Sequence, residues 1–470
     1  MQIPILNGIY TDLGPDFRVS YPRNMVPVPT MQSLSQGYLR PADGIIRLGA
    51  QTGSGVDFGG VNYRDRYYRV MGTDLFRIDA LGNMTNLGSV NANQQVTFAT
   101  SFDYLAIASN GGLYYFDETA GTITQVLDPN LGTVLDVVWV DGYFMTTDGE
   151  YIVVTELNNP LTVNPLKYGS SEIDPDLIVS LKKIRNEVYV INRYTIEIFN
   201  NVGGAGFPFQ RIEGAQIQKG ALGRNCTCVF NETLAFIGSG HNEAPGIYLG
   251  VHGQITKLSS HEIDVILSTL TEIQLSTCIL ESRTEKGVQW LYVHLPDRTL
   301  VYDLTSSQAV NFPVWFILSS SQVGVGQYVA QNLVWVYNKW MCGHPTSNIH
   351  GYLTNQISSH YGDLNEWEFV SQIVYGEGKK GIFHEIELVG LPGRVALGFN
   401  PIIYTSYSLD GISWSVEVPC LMGTTGSTFK KIAWLQCGPM WNWRTQKFRG
   451  NSLAHMAIAR LEARIEATNG

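Results

Sequence analysis

Three stretches of this 470-residue chain can be laid over one another: "YYRVMGTDLFRIDALGNMTNLG" (67–88), "YLAIASNGGLYYFDETAGTITQV" (104–126) and "YFMTTDGEYIVVTELNNPLTV" (143–163). Each runs through an apolar strand, a tight turn with Gly or Asp, an aromatic-rich strand, a polar turn and a short third strand. The frame continues over 187–214, 233–260, 291–308 and 339–356, and further strand candidates such as "VLDVVWV" and "LIVSLKKI" precede the units. Successive units start roughly 35 to 55 residues apart, the spacing of four-stranded propeller blades. A lone blade exposes two apolar faces and cannot stand by itself. Blades packed around an axis cover both faces and leave only short outer edges to solvent. The pattern therefore predicts an all-β chain whose body, residues 61–371, is a β-propeller of six or seven blades, with seven preferred.

The blade rhythm stops near residue 371. Over 372–470 the strands lengthen, as in "FHEIELVG" and "PIIYTSYSLDGISWSVEV", which predicts a small antiparallel β-sandwich-like domain. Its last segment, "ARLEARIEA", has helical composition. Leu461, Ala463 and Ile465 nevertheless alternate with Arg460, Glu462, Arg464 and Glu466, and period two predicts a strand. Residues 1–60 carry Pro4, Pro15, Pro22, Pro27, Pro29 and Pro41 and little alternation, which predicts an extended N-terminal arm that borrows order from its neighbours. One helix is expected, over 259–274: Ser259 and Glu262 read as a capping box, and Ile263, Ile266, Leu267 and Leu270 form one apolar stripe that docks on the parent domain.

Several function classes are disfavoured by composition. No apolar run reaches the length of a spanning helix, so no membrane insertion is expected. "MQIPILNGIY" lacks a charged region followed by an apolar one, which predicts no signal peptide and synthesis in a cytoplasm. Six cysteines without a Cys-x-x-Cys pair are read as reduced and structural, with Cys226 and Cys228 on one face of a strand. The net charge of −10 argues against overall attraction to nucleic acid. That charge is uneven, because the C-terminal part is basic. Lys430, Lys431, Arg444, Lys447, Arg449, Arg460 and Arg464 are candidate interface residues toward an acidic partner or a second copy of the chain, and a solvated face explains them equally.

The stretch "HLPDRTLVYDLTSSQ" (294–308) holds residue types that would suit a hydrolase. Its spacing is that of strand, Pro296-Asp297-Arg298 turn, strand, and a second turn at Thr305–Gln308, which puts Asp297, Arg298, Ser306 and Ser307 on loop tips. "YSLDGISW" (407–414) is one residue short of a sialidase Asp-box and reads as a hairpin turn above Trp414. The histidines are scattered, with no metal-ligand spacing. No catalytic residue, cofactor or metal is predicted. The alternative is a propeller that binds or cleaves glycans, for which Asp79, Asp117, Asp148 and Asp303 at strand ends are the available carboxylates; turn positions explain them equally.

"GYLRPADGI" (37–45), "YYRVMGTDLFRI", "YTIEIFN" (194–200), "IQKGALG" (217–223) and above all "LYVHLPDRTLVYDLTSSQ" (291–308) together resemble the tail hub proteins of short-tailed, tailspike-bearing bacteriophages, also called tail accessory factors or packaged-DNA stabilisation proteins. The resemblance runs in order over most of the chain and is weakest in the last hundred residues. It implies a non-enzymatic structural protein of the virion tail, with a propeller body. It further implies a homo-hexameric ring below the portal and head-to-tail adaptor rings, contacts with tailspike trimers and the tail needle, and retention of viral double-stranded DNA that passes without sequence-specific binding.

Overall fold

The computed structural model describes every residue except 12–16, 31–36, 158, 205, 377–378, 396, 452–455 and 469–470, so Pro15 lies outside the described residues. Seven antiparallel sheets of four or five strands follow one another at 57–89, 97–125, 136–170, 178–211, 220–257, 279–318 and 331–354. These are blades 1 to 7. The first strand of each blade contacts the first strand of the next, and blade 7 contacts blade 1, so the ring is closed. Seven apolar clusters, each drawn from two adjacent blades, fill the spaces between them. Between blades 1 and 2, for example, Tyr68 packs on Phe116 with ring centroids 5.5 Å apart. This is the burial that a single blade could not achieve.

Only three strands of blade 7 come from the local sequence. The fourth and outermost is Gly44–Arg47, antiparallel to His350–Thr354 with Ile45 opposite Leu353. Ile45 is fully buried. Its carbonyl accepts from the Tyr361 N–H at 2.9 Å, and the Leu48 N–H donates to the His350 carbonyl at 3.0 Å.

The C-terminal domain is a sandwich of two sheets. One runs in the order Met25–Pro29, Gly37–Pro41, Ile458–Thr468, Lys380–Gly390, Ile432–Leu435; the other runs Trp367–Val370, Trp443–Gly450, Ile402–Ser408, Val418–Leu421. Their facing side chains, among them Leu39, Phe383, Ile386, Phe369 and Phe448, form one core. Leu461 and Ala463 point into it while Arg464 is exposed, so period two describes the last strand despite its helical composition. Residues 1–60 contribute strands to both domains: besides Gly44–Arg47 in blade 7, Gln2–Ile3 pairs with the last strand and two hairpin strands extend the first sheet.

Two local expectations are corrected. The segment expected as one helix is two, His261–Ser268 and Glu272–Ser276, with Ser260 instead of Ser259 as the first cap. Thr271 forms its own capping box with Gln274, and this second start signal divides the stripe. The expected turn at Thr305–Gln308 is a short helix, Leu304–Val310, started by Asp303, whose carboxylate accepts from the Ser306 N–H at 2.8 Å. Ser307 is consequently buried and not on a loop tip.

Replacing Ile45 by Ala empties a buried site in the closing strand and is expected to cost about 2–5 kcal/mol; a thermal melt unchanged from wild type would show that this strand does not hold the ring. Closure is also predicted to be acid-sensitive. Burial pushes the imidazole of His350 down to about 4 and that of His360 down to about 3. The folded chain therefore keeps both neutral, whereas the unfolded chain protonates them below about pH 6.5. Their contribution is intact above that pH and is lost as pH falls toward 3. Tm should drop between pH 7 and 4, with a shallower slope in His360→Gln; a flat Tm over that interval contradicts the assignment.

Candidate assembly surfaces

The stretch 294–308 is built into blade 6 and the helix that follows its third strand. His294 is buried, and its Nδ1 lies 2.9 Å from the Thr299 hydroxyl. Asp303 caps the helix that follows and accepts from Trp290 Nε1 at 3.1 Å. The three acidic turn residues behave alike: Asp79 accepts from the Leu81 and Asn83 N–H groups, Asp117 from Thr119 and Ala120, and Asp148 from Glu150 and Tyr151. Each carboxylate closes its own turn, on its own blade. Asp410 does the same for "YSLDGISW", accepting from Ile412 and Ser413, and these bonds hold its carboxyl far below the usual range. Among the described residues, no group of three His, Cys, Asp or Glu side chains is placed to hold a metal ion, and no helix is long and apolar enough to cross a membrane.

Polar contacts lock the blades around the axis. At the junction of blades 7 and 1, Arg69 and Asp57 form a fully buried ion pair at 2.6 Å. Arg69 also donates to the Asn332 carbonyl at 2.7 Å and to the Tyr67 hydroxyl at 2.6 Å, while Asn332 donates to Asp57 at 2.6 Å. Burial opposes the charge of Arg69, but the Asp57 carboxylate and the Tyr67 hydroxyl together lift the guanidinium above its usual pKa. Gly343 is needed here, because a Cβ would lie 2.1 Å from the Asp57 carboxyl. Between blades 3 and 4, Asp136 accepts from the Leu181 N–H at 3.0 Å and pairs with Lys182 at 3.3 Å. From blade 5, Arg224 donates to the carbonyls of Leu135 and Gln95 at the starts of blades 3 and 2, spanning one mouth of the axis.

The cysteines have no disulfide partner. Cys226 closes a 3-10 turn rather than sharing a strand face with Cys228, and burial raises both thiols.

The sandwich is fastened to blade 6 by Arg23 and Asn24. The Arg23 N–H and carbonyl pair with Glu368 of the sandwich at 2.8 and 3.0 Å, while the Asn24 N–H donates to Ile317 of blade 6 at 2.8 Å. The Asn24 side chain donates to the carbonyls of Ser319 and Glu366. Glu366, almost fully buried, pairs with Arg23 and, at 3.1 Å, with Arg449. Neither Arg23 nor Glu366 had a sequence signal, since each sits in an irregular segment and their pairing exists only after the domains dock.

The seven candidate cations are not equivalent. Arg444 is buried between the rings of Phe383 and Tyr407, its guanidinium carbon 4.3 and 3.9 Å from their centroids, and donates to Gln446 at 2.9 Å. Burial pushes it down to about 10, so it stays charged at neutral pH. Arg449 is held by Glu366 and Glu417, Arg460 by Glu462 at 2.8 Å, and Lys447 lies over Trp414 at 4.5 Å. Lys431 is exposed but paired with Glu385 and Glu387 at 2.6 and 2.9 Å. Lys430 and Arg464 are exposed and form no ion pair among the described residues.

The chain is a wheel of seven blades bearing a sandwich. The chain matches the family model described as Bacteriophage P22 Gp10, beta-propeller, over residues 1–358, and that described as Bacteriophage P22 Gp10, beta-sandwich, over residues 366–466. It belongs to this family and is a tail hub protein of the short-tailed phage type. It is 26% identical over 458 residues to the tail hub protein gp10 of Salmonella phage P22, covering 93% of each chain. Among solved structures, the Pan2 WD40 domain of Neurospora crassa is similar with a TM-score of 0.42 at 11% identity, over 66% of this chain and 95% of that one. The designed protein Ika8 is similar with a TM-score of 0.38 at 14% identity, over 75% and 97%.

Arg23→Ala leaves Glu366 buried with one cation fewer and removes a clamp between the domains. It is expected to destabilise the chain by about 3 kcal/mol and to separate propeller and sandwich melting into two calorimetric transitions. A single transition at the wild-type temperature would show that the clamp contributes nothing.

Proposed function

We propose that this chain is a non-enzymatic hub whose copies join head to tail into a six-membered ring in the virion tail, below the portal and adaptor rings. There it helps retain packaged DNA and offers docking surfaces to tailspike trimers and the tail needle. The observation that carries this reading is the match to a tail hub protein across 93% of both chains.

The physical properties of the chain support it. A closed wheel with filled junctions is a stiff part, suited to permanent heterologous contacts around a rotation axis. Arg224 spans a mouth of the propeller axis, so a duplex would pass between protomers and not through one wheel. The net charge of −10 keeps a lumen from holding phosphates that must leave during ejection.

If charge joins the protomers, rings should weaken as salt rises, because screening shortens to about 3 Å at 1 M. Light scattering of purified chain in about 0.05 M and 1 M NaCl, conditions that differ some three-fold or more in screening length, measures this. Equal ring mass in both removes charge pairing as the cause of assembly.

A further inference from the structure

Both sheets of the sandwich meet the propeller by one edge. Trp367–Val370, the edge of the second sheet, is bridged to blade 6 through Arg23, and Met25–Pro29, the edge of the first, packs on the outer strand of blade 6. The opposite edges, Val418–Leu421 and Ile432–Leu435, therefore point away from the wheel. Among the described residues, each pairs on one side only. They lie side by side, since Trp434 Nε1 donates to the Val418 carbonyl at 3.0 Å.

Edge strands of this kind are normally protected with charge, proline or a bulge, and Val418–Leu421 carries Pro419. The tip around these edges is nevertheless apolar: Val416 is 88% exposed, Phe429 100% and Leu435 72%. Exposed Lys430 adjoins Phe429, and residues 379–470 carry ten Lys and Arg against six Asp and Glu.

Blades 2 and 3 lie across the wheel from blade 6, three steps away in either direction around a ring of seven. Their sequence, 97–170, holds nine carboxylates and a single cation, Lys167, which is already paired with Glu156 at 2.6 Å. The outer rim there is apolar too. Leu127 is 81% and Leu166 83% exposed. Their segments are joined where the Val163 N–H donates to Asp128 at 3.0 Å and the Tyr168 hydroxyl donates to the Asn130 carbonyl. Exposed Glu150 stands close by, next to Tyr151, whose ring lies 6.1 Å from that of Tyr168.

The chain thus carries exposed apolar residues at two ends, beside the exposed Lys430 at one and in a carboxylate-rich part of the chain at the other. Patches of this kind on a soluble protein mark contacts, and two different complementary patches on one chain give a heterologous joint. We infer that the open-edged tip of the sandwich of one copy, centred on Phe429 and Lys430, docks on the outer rim of blades 2 and 3 of a second copy, around Leu127 and Leu166. This rests on the ring reading above and names the surfaces that would close it.

The test uses the full chain with Phe429→Asp on the tip and Leu166→Asp on the rim, backed by Val416→Asp and Leu127→Asp. All four residues are exposed, so melts should match wild type. In sedimentation, each variant alone should associate at least tenfold more weakly than wild type. A one-to-one mixture of a tip variant and a rim variant retains one intact joint, the tip of the rim variant on the rim of the tip variant, and should give dimers and nothing larger. Wild-type rings together with undiminished rings from both variants overturn the assignment and leave the strips to another tail component. A mixture that yields no dimer also overturns it. A wild-type chain that stays monomeric at every concentration overturns the ring reading itself.

Discussion

The structure depends on where the first 47 residues pair their backbone. A propeller built only from consecutive four-stranded units would leave its first and last blades in contact through side chains alone. Here Gly44–Arg47 supplies the outer strand of blade 7, so unwinding the ring requires breaking main-chain hydrogen bonds between distant parts of the chain. The same N-terminal stretch also inserts Arg23 and Asn24 between blade 6 and the sandwich, and its hairpin extends a sandwich sheet. One stretch therefore closes the wheel and fixes the appendage to it.

The buried charges follow from that arrangement. Arg69 with Asp57 lies at the junction of blades 7 and 1, and Arg23 with Glu366 lies between the two domains. Apolar contacts at such places would tolerate sliding. Paired charges in a dry setting do not, because a small displacement leaves each without its counter-ion. The seams most in need of a fixed register are the ones that carry them.

The same geometry organises the surface. Docking each sandwich sheet by one edge frees the other, so the two outer edges and the exposed apolar side chains beside them gather at a single distal tip. The acidic rim on the far side of the wheel gives the molecule two unlike ends, which is the requirement for joining copies head to tail.

The all-β class, the propeller and the sandwich were legible in the sequence, because strand period, turn residues and unit spacing are local properties. The C-terminal strand is the clearest case, where alternation of Leu461 and Ala463 with Arg464 outweighed helical composition. Legibility ended where a residue's role depends on a distant partner. Ile45 has no local pattern marking it as the lock of blade 7, and Glu366 no pattern marking it as a clamp. Arg444 reads as one more cation until the fold encloses it between two aromatic rings. Composition placed positive charge in the C-terminal domain; which of those charges faces solvent was decided by packing, because burial and ion pairing are set by neighbours that only the folded chain brings within reach.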